Sequence, residues 1–113
     1  MKKITLIQTQ ITNTQAPADF VLDYRREFLR LIEISPEGMT ISQMDVAIKV
    51  ARKLQDYGSR EICLEDAEWE YLLARLKTAR FNLVAPEIVE MARAVESAPE
   101  IVITLDCGME AKA

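Results

Sequence analysis

The sequence predicts an α+β fold, with about four helices packed on a small sheet formed by the N- and C-terminal strands. Three observations predict it. β-Branched residues gather in residues 2–12 and 101–107, one stretch at each end. The chain between them repeats apolar side chains at helical spacing. Its 113 residues are 50% hydrophobic and 28% charged, with three glycines and four prolines, which fits one globular domain over 1–113 and excludes disordered or collagen-like classes.

The first strand, residues 2–12, alternates imperfectly. Ile4 and Leu6 share one face while Ile7 and Ile11 share the other, so either both faces are covered or a bulge shifts the register near Leu6. A loop over 13–18 with Pro17 leads to a helix over 19–33. Its stripe is Val21, Tyr24, Phe28, Leu31 and Ile32, and Arg25, Arg26 and Arg30 lie on or near the opposite face. Ser35-Pro36-Glu37-Gly38 ends it.

The second helix starts at Ser42 as N-cap, with Asp45 three residues on and Ile41 placed to staple onto Val46. Met44, Ala47, Ile48, Ala51 and Leu54 form its stripe, and Gly58 after Tyr57 suits its C-terminus. Residues 39–41 and 61–64 are short apolar segments that could add strands. The third helix, 66–80, carries Trp69, Leu72, Leu73, Leu76 and Ala79 on one side. A connection over 81–84 leads to the fourth, which opens at Pro86, where a missing N–H costs nothing, and ends at Ala98-Pro99. In the last strand Ile101, Ile103, Leu105 and Cys107 face one way, and Gly108 stops it.

Charge and residue types narrow the function. The net charge is −4, and residues 86–113 hold all of that deficit. A duplex-DNA binder normally carries a basic surplus, so nucleic acid is not the expected partner. Histidine is absent, which removes serine–histidine and cysteine–histidine nucleophiles and every histidine metal site. The glycines at 38, 58 and 108 make no phosphate loop. No cofactor, metal or catalytic residue is therefore assigned, and the chain reads as no enzyme. Cys63 and Cys107 are too far apart in sequence for a Cys-x-x-Cys site, and each is expected as a free, buried hydrophobe. Lys2 and Lys3 precede no signal-peptide core and no stretch is long and apolar enough to span a membrane, so the expected place is a reducing cytoplasm.

What remains is association. Lys49, Arg52 and Lys53 are spaced for one helical face with Arg60 nearby, and Glu87 and Glu90 open the fourth helix; these six mark the expected interaction surface. The alternative is a small DNA-binding regulator using the second and third helices as a helix-turn-helix pair. The carboxylates of Glu65, Asp66, Glu68 and Glu70 at the start of the third helix would repel phosphates there. They are spaced for the positive end of a helix dipole rather than for one hard cation.

The run from Ile62 through Glu65-Asp66-Ala67-Glu68-Trp69 to Leu72, followed by Pro86-Glu87-Ile88 and Ser97-Ala98-Pro99, resembles small proteins encoded by tailed bacteriophages and prophages. The resemblance covers residues 39–100. It implies virion assembly or host-factor binding, through a homo-oligomer or a phage or host protein, and no catalytic residue.

Overall fold

The computed structural model describes residues 1–11, 21–33, 38–56, 58–81 and 84–101. In chain order these form β1 (Lys2–Thr5), β2 (Gln8–Gln10), β3 (Val21–Asp23), α1 (Tyr24–Glu33), α2 (Ile41–Leu54), β4 (Glu61–Leu64), α3 (Asp66–Thr78) and α4 (Pro86–Glu96). The fold is the small α+β arrangement the sequence predicts, with β1–β4 and β2–β3 as two antiparallel pairs.

The imperfect alternation of the N-terminal stretch has a structural cause. The strand changes partner at Leu6 and Ile7. Before the break Lys3 lies opposite Cys63 and Ile4 opposite Ile62; after it Thr9 lies opposite Leu22. At the break the Leu6 N–H donates to the Arg60 carbonyl at 2.7 Å, and the Ile7 carbonyl accepts from the Tyr24 N–H at 3.0 Å. The backbone groups freed by leaving one sheet are thus satisfied before the next begins.

The two ends of the described chain do meet. On the other side of β1 the Lys3 N–H donates to the Pro99 carbonyl at 3.1 Å and the Ile101 N–H to the Met1 carbonyl at 2.8 Å, around an antiparallel bridge between Lys2 and Glu100. The main ladder of β1, however, is with the internal segment β4. The rest of the strand predicted over 101–107, the Gly108 stop and the tail lie outside the described residues, as do the loop over 13–18, the turn at 35–37 and Tyr57.

The Glu100 carboxylate ties this junction. It accepts from the Met1 ammonium at 2.8 Å and sits 3.3 Å from Lys2 Nζ, whose ammonium also lies over the Trp69 ring. The hydrogen bond from the terminal amine, then that from Lys2, holds the Glu100 carboxyl below its ordinary value of 4.5. A lowered carboxyl contributes stability above the ordinary range and loses it as pH falls through the folded value. Glu100→Gln should therefore melt below the native chain at pH 7, and the gap should close in thermal unfolding as the pH falls below the ordinary carboxyl range.

The first helix is shorter than its periodicity predicts. Val21–Asp23 is β3, and Asp23 Oδ1 accepts the Arg25 N–H at 3.1 Å, as an N-cap does. Val21, expected in the buried stripe, is exposed, while Tyr24, Phe28, Leu31 and Ile32 are buried as predicted. In the second helix the cap is Thr40, two residues before the predicted Ser42. Thr40 Oγ1 accepts the Gln43 N–H at 3.1 Å, and Gln43 Oε1 accepts the Thr40 N–H at 2.9 Å. This reciprocal box uses Gln43 in place of the expected Asp45, and it makes Ile41 the first helical residue rather than part of an extra strand. Thr40→Ala should cost about 1 kcal/mol in chemical denaturation, and Ser42→Ala close to nothing.

The third helix begins at Asp66 as predicted, with Glu65 as N-cap, and Leu72 and Leu76 reach the core. The fourth begins at Pro86 as predicted and buries Met91 and Val95. Three helix C-termini receive donors from neighbouring helices. Arg25 of α1 donates to the carbonyls of Leu54, Asp56 and Ser59 at and beyond the end of α2. Tyr71 Oη and Arg75 Nε of α3 donate to Ile32 and Leu31 at the end of α1, at 3.4 and 3.0 Å. Trp69 Nε1 donates to Val95 at the end of α4, at 2.7 Å. Carbonyls left without an intrahelical partner at the negative ends of these three helix dipoles are thereby paired from within the fold. Arg25, expected on an outer face, is the clearest case.

One expectation is overturned outright. Cys63 is not a free thiol but disulfide-bonded. The chain's other cysteine, Cys107, lies outside the described residues.

Candidate functional site

The outer face of α2 is where apolar chemistry meets solvent. This helix carries two overlapping apolar stripes. Ala47, Val50 and Leu54 are buried against the core. Ile41, Met44 and Ile48 are not: they are 80%, 44% and 44% exposed. Spacing puts Met44 and Ile48 in the core stripe, and the structure corrects this. A helix presents only one side to its neighbours, and the side with the small Ala47 and the β-branched Val50 is the one that fits there.

Beside this stripe runs an open groove of about 570 Å³ between the end of α1 and α2. Ile32, Met39, Met44, Ala47 and Ile48 give it an apolar lining, and Glu33, Arg52 and Gln55 supply its polar groups. Methionine is unbranched and polarizable, so two of them beside a groove form a wall that adapts to what it meets. Asp45 and Arg52 border the apolar stripe along one edge, seven residues apart and so two turns apart on the same side. Asp45 sits 3.3 Å from Lys49 Nζ with both side chains more than half exposed, an ion pair that contributes little. Arg52 is exposed and makes no ion pair among the described residues.

The six residues predicted as an interaction surface fall on three parts of the fold. Lys49 and Arg52 are on the outer side of α2. Lys53 turns inward, where its Nζ donates to Glu68 Oε1 at 2.6 Å and to the Cys63 carbonyl at 2.7 Å. It is a structural cation and not part of the outer face. Arg60 is exposed just before β4, and its carbonyl holds Leu6. Glu87 and Glu90 lie on α4, Glu87 half-buried and Glu90 exposed. Burial and then the charge of Glu90 raise the Tyr24 phenol above its ordinary value. The structure therefore brings Lys49 and Arg52 together and separates the other four from them.

The acidic start of α3 is also divided. Glu68 is buried, and its Oε1 accepts the Glu65 N–H at 2.8 Å as well as Lys53. Asp66 and Glu70 stay exposed. Among the described residues no group of three carboxylate or cysteine side chains is placed to hold a metal ion. Also among them, no helix is long and apolar enough to cross a membrane. Between α2 and α3 stands β4, paired to β1, where a helix-turn-helix has a short turn.

Comparison with protein-family models, curated proteins and solved structures returns no match for this chain.

Proposed function

We propose that this chain is a non-catalytic protein–protein interaction module that works by homo- or hetero-association through the outer face of α2. The observation that carries the reading is the row Ile41, Met44 and Ile48, exposed beside an apolar groove. A helix with one apolar side in the core and a second in water offers a face of the kind that partner proteins cover. The charged side chains bordering it supply orientation more than affinity. Assembly of a virion, or capture of a host factor, is the setting implied by the resemblance of residues 39–100. A cytoplasmic location belongs to the same proposal. There the Cys63 bond would be reduced, leaving a thiol beside Ile62 and Leu64 that packs as a small hydrophobe.

The test places a photo-crosslinking side chain at Met44 in the full chain, in cells that make it, with exposed Glu70 on α3 as the control position. Discrete protein adducts are expected at position 44, absent at 70, and lost when Ile48→Asp is added. No adduct at 44, or adducts indifferent to Ile48→Asp, would refute the reading.

A further inference from the structure

We infer that the partner of the α2 face is a second copy of this chain, its own α2 laid antiparallel across the first. This rests on the reading of that face as an interaction surface and names its occupant. Ile41, Met44, Ile48, Ala51 and Gln55 recur at 3, 4, 3 and 4, the spacing of a helix–helix seam. On such a seam Asp45 and Arg52 occupy the same edge position in successive heptads. Put a two-fold axis across the helix between residues 48 and 49. Asp45 and Arg52 then lie about 5 Å to either side of it along the helix. In an antiparallel pair the same edge of both helices comes together, so Asp45 of each copy faces Arg52 of the other. The contact is made twice by symmetry.

The charges suit this arrangement and no parallel one. A parallel pair sets Arg52 beside Ala47 of the second copy and leaves it without an opposite charge. Antiparallel packing also opposes the two helix dipoles. The apolar groove beside the stripe gives Met44 or Ile48 of the second copy a place to enter, with Ile32 at the end of α1 among its lining. A 14-residue helix is about 21 Å long, so one such face buries less than the roughly 800 Å² per partner of a standard interface. An interface of that size is of the weak, reversible class.

Sedimentation equilibrium of the full chain tests this, on the native sequence, Asp45→Arg, Arg52→Glu and the double exchange. The native chain should approach twice 12.8 kDa as its concentration rises. Each single exchange puts like charges together at both symmetric contacts and should weaken dimerisation by about tenfold or more. The double exchange restores opposite charges and should recover the native constant to within about threefold. Both exchanged positions are exposed, and unchanged circular dichroism melts would show that folding is not what moved. A native chain that stays monomeric, a single exchange without effect, or a double exchange as weak as the singles would each overturn the inference. A monomer that still gives adducts with other proteins at position 44 leaves the interaction reading standing without the second copy; a monomer with no adducts removes both.

Discussion

Phe28→Ala should remove about 3–5 kcal/mol of stability, the largest single loss expected from any truncation in α1. Phe28 is fully buried in the middle of that helix, and its ring lies 5.8 Å from that of Tyr24, tilted by 50°. It belongs to the same buried cluster as Ile4 and Ile62 from the β1–β4 pair and Leu72 from α3. Removing the ring leaves a cavity inside that cluster, and a close-packed core relaxes into such a space only in part. A domain of this size is held by roughly 5–15 kcal/mol, so the variant should keep its fold at 25 °C but with a much lower urea midpoint and the same slope. Leu29→Ala, one residue on and only partly buried, should cost clearly less. A Phe28→Ala loss below about 1 kcal/mol would mean that α1 does not enter the core.

Much of this core was legible in the residues. Tyr24, Phe28, Leu31 and Ile32 recur at helical spacing and are flanked by charges, so only one side of that segment has somewhere to go. Pro86 likewise marks the start of α4 because it offers a missing N–H where none is needed. What the sequence left open has a common form: one pattern compatible with two structures. Val21 fits the helical stripe by spacing, but its pairing across from Gln10 depends on a strand more than ten residues away, and local periodicity carries no trace of it. Thr40 and Ser42 are both sound caps, and the glutamine at 43 decides between them only once the reciprocal bond is seen.

The α2 face shows the same ambiguity with functional weight. Residues 41–55 are apolar around more than half of the helix, so spacing alone gives two stripes of comparable strength. Tertiary packing chooses one and leaves the other in water. Edge charge does not separate them in sequence either: Asp45 and Arg52 flank the exposed stripe, and Lys49 and Lys53 stand next to Val50 and Leu54 of the buried one. The opposite error occurs at Lys53, read as surface because lysine usually is. Its acceptors, Glu68 and the Cys63 carbonyl, come from segments that spacing along α2 cannot reveal.

That pair gives the second large effect. Glu68→Met should cost about 3–5 kcal/mol, and Lys53→Met a comparable amount. The Glu68 side chain is 5% exposed and that of Lys53 18%, so neither partner can return to water without the helices moving. Deleting Glu68 strands the ammonium against a single carbonyl and also removes the acceptor that the Glu65 N–H uses at the start of α3. Deleting Lys53 strands the carboxylate. The expensive event in either case is an orphaned charge rather than the loss of an attraction, since desolvating the two ions already offsets most of what their contact returns. The double variant Lys53→Met, Glu68→Met removes both charges and keeps the volume. It should be more stable than either single variant, by 1 kcal/mol or more on the same denaturation curves. Additive losses in that cycle would show instead that the two side chains act separately, Glu68 as a helix cap and Lys53 as a donor to β4.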